Sequence, residues 1–229
     1  MLDAVIFDMD GVLIDSEPFW QDAEIAAFAE IGFTMHRDQC RETTGLRIDE
    51  VITYWWRRLE GRLPLPDPAD FREAIMSRMI EAVRTRGEAM AGVRDLLNRL
   101  EAAGIPMALA SSSDMALIDA VVDGLALRRY FRVLHSAEHE ARGKPHPAVY
   151  LSTAERLGVD PRACLAIEDS INGVVAAKAA TMACLAVPEP NMREDRRFGI
   201  ADRIVASLTE VTADLLVELG VAGITGRPV

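Results

Sequence analysis

Ala4-Val5-Ile6-Phe7-Asp8-Met9-Asp10-Gly11 is the stretch that decides the fold. A short apolar run ending at a glycine turn reads as a buried strand emerging into a loop. It delivers Asp8 and Asp10 to one edge of a sheet, and in open α/β sheets ligands bind at the carboxyl ends of the strands. Carboxylates this close repel each other, so the pair calls for a bound cation or for a proton retained on one of them. Both belong to metal-assisted nucleophilic catalysis. The same residues are equally compatible with Asp8 or Asp10 capping a turn before a helix. An EF-hand calcium loop fits poorly, because its glycine comes later and a helix leads into it. The rest of the chain has to separate the two readings.

With 229 residues and 50% hydrophobic content, the chain can bury a sizeable core in one large domain or two smaller ones. The net charge of −11, without a basic stripe, argues against a nucleic-acid partner. Cys40, Cys164 and Cys184 are far apart and form no Cys-x-x-Cys pair, so neither a disulfide framework nor a structural zinc site is expected. Reduced thiols fit a cytoplasmic location. No basic stretch followed by a long apolar segment opens the chain, and no apolar run approaches the ~18 residues that span a membrane. The expectation is a soluble protein with no membrane partner.

Working outward from the first strand, the pattern turns helical. Ile25, Phe28 and Ile31 mark a helix over 18–31 that Gly32 ends. Val51, Ile52, Trp55 and Leu59 share a face of a second helix over about 47–60, and Pro64, Pro66 and Pro68 then break the chain. Phe71, Ile75, Met79 and Val83 recur every four residues in a third helix. From Gly92 onward strands and helices alternate. Strands are predicted over 105–110, 132–135, 164–167, 183–187 and 204–205, with Asp114 capping the helix after the second strand and a final helix over 211–219. Residues 220–229, rich in glycine, are expected to be loosely ordered. Alternation of this kind argues for a doubly wound parallel sheet, a Rossmann-like α/β core. The helical block over 17–86 is then an all-helical insertion after the first strand, and the core comprises 1–16 and 87–219.

Four segments point at the same sheet edge. Asp8 and Asp10 follow the first strand, Ser111 the second, and Glu168-Asp169 a later one, while Lys144 sits in a Gly143-Lys144-Pro145 loop. A cation site, a hydroxyl, an ammonium and a nucleophile are what phosphoryl transfer requires. Each residue has a duller reading alone: Lys144 as a solvated lysine, Ser111 as a turn residue, Asp169 or Ser170 as a helix cap. All of those readings would have to hold together for the site to vanish.

The set resembles the haloacid dehalogenase superfamily from about residue 2 to 219. The Asp-x-Asp-Gly motif stands at 8–11, the motif serine at Ser111, the motif lysine at Lys144 and the acidic pair at Glu168 and Asp169. The resemblance implies that Asp8 is the nucleophile and Asp10 the general acid and base. Ser111, Ser112 and Lys144 hold the phosphate. By the same resemblance Mg²⁺ is expected on Asp8, the Asp10 carbonyl and Asp169, with Glu168 orienting its waters. The helical insertion looks like the cap of the beta-phosphoglucomutase-like branch, and Thr44-Gly45-Leu46-Arg47 like its specificity loop. Glu17, Trp20 and Arg47 are then candidates for substrate contact. Trp55 belongs with the cap's own core, and Trp56 is left open between core and cleft.

The branch's mutase carries a cap-hinge histidine where this chain has Pro18, Phe19 and Trp20, which favours hydrolysis over isomerisation. Asp15 to Pro18 and Gly45 to Asp49 resemble bacterial 2-deoxyglucose-6-phosphate and hexitol phosphate phosphatases. Asp10 argues against a dehalogenase, which lacks that aspartate. A signalling receiver domain has its acidic pair first and no insertion. The expected activity is Mg²⁺-dependent hydrolysis of small sugar or sugar-alcohol phosphates by a monomer, with a phosphomutase as the alternative. Thr181, where relatives often carry glycine, is expected to be catalytically silent.

Overall fold

The computed structural model describes residues 1–221 and 223. Six parallel strands form one sheet: β1 (Ala4–Phe7), β2 (Met107–Ser111), β3 (Val133–Ser136), β4 (Cys164–Glu168), β5 (Ala183–Ala186) and β6 (Arg203–Ile204), in the order β3-β2-β1-β4-β5-β6. Because β1 lies between β2 and β4, the chain departs to opposite sides of it, which is the switch point where α/β sheets bind ligands. In register, Phe7 faces Leu109 on one side and Ile167 on the other. The residues that follow these strands therefore emerge side by side.

The helices are α1 (Glu17–Glu30), α2 (Arg37–Cys40), α3 (Ile48–Leu59), α4 (Pro68–Arg86), α5 (Val93–Ala102), α6 (Met115–Gly124), α7 (Ala148–Leu157), α8 (Ile171–Ala179) and α9 (Ala213–Glu218). The two faces of the sheet bury different side chains, as the period of two along a strand requires. Val5, Phe7, Leu109, Leu165 and Ile167 pack with α5 and α6. Ala4, Ala108, Ala110 and Ala166 pack with α7 and α8, whose Ala154, Ala176 and Ala177 keep that layer thin.

Helices α1–α4 fill the stretch between β1 and α5. Phe28 is at their centre, with ring centroids 4.8 Å from Phe71 and 5.9 Å from Trp55. Trp56 packs on Phe71 at 4.7 Å. The segments leaving and re-entering the sheet run side by side, joined by the Met90 N–H to Leu13 carbonyl bond at 3.0 Å.

The predicted and observed elements agree in kind and differ at their ends. β2 starts at Met107 because Pro106 has no N–H for the ladder. The short α2 has no periodic signature. Asp114 occupies the cap position of α6, but its carboxylate accepts from Arg72 of α4 and makes no bond to the helix it precedes. Of the tail, Gly220 and Val221 are docked: Leu2 N–H donates to the Gly220 carbonyl at 2.6 Å, and Val221 is buried. Residues 222 and 224–229 lie outside the described residues. No helix among those described is long and apolar enough to cross a membrane.

Candidate active site

Asp8 follows the last residue of β1 and is buried. Lys144 Nζ lies 2.9 Å from its Oδ1 and 2.6 Å from Glu168 Oε1, and donates to the Ala110 carbonyl at 3.1 Å. Burial works against the ammonium, but the Asp8 and Glu168 charges outweigh it and raise the Lys144 pKa. Glu168, fully buried at the end of β4, also accepts from the Tyr150 hydroxyl at 2.5 Å and from Ser170 Oγ at 3.2 Å.

Asp8, Glu168 and Asp169 each place a carboxylate oxygen within 4.8 Å of the others. Burial first, then the Glu168 charge, lifts the Asp8 pKa to about 7 in spite of Lys144. Asp169 is raised well above the carboxylate range by burial and by the charges of Asp8 and Glu168. With one ammonium against three carboxylates, the cluster offsets its negative charge without a cation only by retaining protons. An all-oxygen, electron-rich cluster of this kind suits a hard divalent cation such as Mg²⁺. Two glycines make the cluster possible. A Cβ on Gly11 would come within 2.0 Å of Asp169 Oδ2, and one on Gly173 within 1.9 Å of the Glu168 carboxylate.

Asp10 points the other way. Its Oδ1 accepts from Ser16 Oγ at 2.5 Å and Trp20 Nε1 at 3.2 Å, and its Oδ2 from Ser113 Oγ at 2.7 Å and Ser111 Oγ at 3.5 Å. These donors fix the carboxyl without pairing it to a cation. Ser111 is fully buried, and its hydroxyl accepts from the Ser113 N–H at 3.0 Å. Ser112 Oγ donates to the Gly45 carbonyl at 3.3 Å, so the loop after α2 reaches down to the sheet edge.

A cavity lies between this edge and the helical block. Asp8, Asp10, Ser112, Lys144 and Asp169 line one side, and Glu17, Trp20, Gln21, Glu24, Cys40 and Thr44 are among those on the other. Two candidate substrate contacts, Glu17 and Trp20, are thus in the wall, with the Trp20 indole already bonded to Asp10. Arg47 is not in that wall. Its guanidinium donates to the Ala137 and Glu140 carbonyls at 3.2 and 3.0 Å and pairs with Glu50 at 2.9 Å. It lies across Gly143, where a Cβ would stand 2.9 Å from Nε, so it joins the helical block to the loops after β3. Trp56 lines a separate groove with Asp49 and Arg72.

Sequence reasoning passed over Ser16, Ser113, Tyr150 and Glu24. Ser113 had a signal, the two-residue spacing from Ser111. Tyr150 had none, since a core tyrosine and one whose hydroxyl reaches a buried carboxylate occupy the same helical positions. Glu24 had a weak one, its place on the helical face shared by Glu17, Trp20 and Gln21.

A family model described as haloacid dehalogenase-like hydrolase matches residues 2–181. Hexitol phosphatase B of Escherichia coli (strain K12) is 42% identical over 215 residues, covering 93% of this chain and 96% of that protein. The crystal structure of CbbY from Rhodobacter sphaeroides in complex with phosphate superposes with a TM-score of 0.84 at 30% identity, covering 92% of this chain and 96% of that one. The structure of beta-phosphoglucomutase from Clostridium difficile shares the fold at a TM-score of 0.84 and 21% identity, covering 96% of this chain and 97% of its own.

Proposed function

The chain is a phosphatase of the haloacid dehalogenase-like hydrolase family, and from that premise we propose that it is a Mg²⁺-dependent phosphomonoester hydrolase of sugar or sugar-alcohol phosphates, hexose or hexitol 6-phosphates above all. The observation that carries this reading is the division of labour at the sheet edge. Asp8 is held against an ammonium beside further carboxylates, while Asp10 is held by hydroxyls and an indole. One suits a nucleophile and the other a proton carrier.

In this reading Asp8 attacks phosphorus and forms an aspartyl phosphate, as the ester oxygen leaves with a proton from Asp10. Asp10, now a carboxylate, takes a proton from the water that attacks the phosphorus of the acyl phosphate. That returns both residues to their starting states. Ser111, Ser112 and Lys144 hold the non-bridging oxygens, and Lys144 compensates charge at the phosphate. Asp8, Asp169 and the Asp10 carbonyl would hold Mg²⁺, with Glu168 behind them. When bound, Mg²⁺ supplies positive charge to a dianionic ester that would otherwise meet a cluster of carboxylates.

The block over 17–86 serves as a cap on the core of 1–16 and 87–219, and its wall of the cavity selects the leaving group. Pro18, Phe19 and Trp20 occupy the stretch where the branch's mutase carries a hinge histidine, and Trp20, bonded to Asp10, cannot transfer a proton there, which supports hydrolysis over isomerisation. The protein would act as a cytoplasmic monomer on a small phosphorylated metabolite, without nucleic-acid or membrane partners.

Phosphate release from a panel of sugar and polyol phosphates, with Mg²⁺ or EDTA, tests the proposal. Turnover of hexose or hexitol 6-phosphates that requires Mg²⁺ and is abolished in Asp8→Asn is the expected result. Asp10→Asn should slow turnover by about 10²–10⁴. Isomerisation of a sugar phosphate without phosphate release would overturn it.

A further inference from the structure

Glu24 is a cavity group that the catalytic scheme does not use. It lies on α1, it is only 5% exposed, and its Oε2 has no hydrogen-bond partner among the described residues. Its neighbours on the same face are already engaged. Gln21 donates to Glu17 at 2.9 Å and accepts from Arg37 at 2.6 Å, Glu17 also accepts from Thr44 at 3.2 Å, and Trp20 donates to Asp10 at 3.2 Å. A buried carboxyl oxygen left without a partner costs about 1–3 kcal/mol. Such a group calls for an explanation, and a ligand atom is one that fits a cavity wall.

Its position says what the ligand atom belongs to. Residues 17, 20, 21 and 24 share one face of α1, and four residues of helix advance by about 6 Å. Trp20 marks the proton carrier at the scissile bond, so Glu24 stands one turn farther along the wall. Only a leaving group several atoms long extends that far.

Resting on the phosphatase reading, we propose that Glu24 is a specificity-determining residue that hydrogen-bonds a distal hydroxyl of the leaving group, selecting polyhydroxylated phosphate esters over unhydroxylated ones. Burial, against the opposing Cys40 thiol bond and with the Glu17 charge adding to it, lifts the Glu24 pKa to about 8. At neutral pH the group is therefore a carboxylic acid, with one donor and free acceptor capacity, the complement of an alcohol. Cys40, pushed up to about 12 by burial and the Glu24 charge, stays a thiol and competes weakly. A neutral Glu24 also adds no repulsion of its own against a dianionic ester.

The readout is a ratio: kcat/KM for glucitol 6-phosphate over kcat/KM for p-nitrophenyl phosphate, whose leaving group has no hydroxyl. In Glu24→Leu the ratio should fall about tenfold or more, since a site shaped for a hydroxyl loses its partner. Glu24→Gln, which keeps a donor and an acceptor, should hold the ratio within about threefold of the unmodified protein. Glu24→Met, unbranched, gives the same readout as leucine should leucine not fit the site. A ratio unchanged in both apolar variants overturns the proposal, and so does a fall in Glu24→Gln as large as in Glu24→Leu. Failure of the underlying reading looks different: the unmodified protein would release phosphate from neither ester.

Discussion

Replacing Asp8 by asparagine should stabilise the metal-free protein while abolishing its activity, and the gain should depend on pH in a specific sense. Asp8 titrates near 7 in the fold against 3.8 for an ordinary aspartate, because burial and the Glu168 charge disfavour its ionised form. Between those values the folded chain holds a proton that the unfolded chain releases, so stability falls as pH rises through the window. Above pH 7 the full difference applies, about three units at ~1.4 kcal/mol each, or of order 4 kcal/mol. Asparagine removes that penalty. Lys144 loses one partner but keeps Glu168 at 2.6 Å, so no buried ammonium is left unpaired. Allowing for the lost contact, a gain of about 2–4 kcal/mol raises Tm by roughly 5–15 °C at pH 8. At pH 5 the gain should shrink by more than half, because Asp8 is protonated in the fold and the unfolded chain has lost only the lower part of the window. Calorimetry of both proteins in EDTA at the two pH values measures this directly. Saturating Mg²⁺ should then raise the Tm of the unmodified protein more than that of the variant. An Asp8→Asn protein less stable than the unmodified one at pH 8 in EDTA, or a gain that does not shrink at pH 5, would refute the electrostatic reasoning.

Two further predictions concern the frame around the site. Gly173→Ala places a methyl 1.9 Å from the Glu168 carboxylate and should destabilise by about 3 kcal/mol or more, with loss of phosphatase activity, whereas Gly124→Ala, with no atom within 4 Å, should not destabilise. An unaltered Tm and turnover in Gly173→Ala would mean that the carboxylate cage yields easily. Thr181 holds a left-handed φ of 66°, strained by about 1–2 kcal/mol for a side chain of this kind. Thr181→Gly should relieve it for a net gain of about 0.5–1 kcal/mol after the entropy of the unfolded glycine, with turnover unchanged. A lower melting temperature would show that the threonine makes a compensating contact.

The alternation of strands and helices and the motif after β1 were legible because each depends on local patterning. A buried strand must read as an apolar run, and a carboxylate directly after it must emerge at the sheet edge. The same logic placed Ser111, Glu168 and Asp169 at that edge, Lys144 being assigned there from the motif it matches, and the order of β1 between β2 and β4 is what brings the strand ends together. Local pattern was weakest at element ends: Pro106 moved the start of β2, and the docking of Gly220 and Val221 on Leu2 ran against the composition of the tail.

Local pattern alone thus carried the α/β core, the run of helices between β1 and α5, and the carboxylates, hydroxyls and ammonium of the candidate site. The partners of the long polar side chains were fixed by the packing of the fold. Periodicity reports which face of an element is buried, but an arginine or a tryptophan reaches several ångströms from its backbone and is claimed by whichever donors and acceptors the fold brings near. Arg47 was claimed by the carbonyls of Ala137 and Glu140, Trp20 by Asp10, and Asp114 by Arg72. Glu24 was buried with an oxygen left unpaired, which no one-dimensional pattern can register because an unmet hydrogen bond is a property of the surroundings.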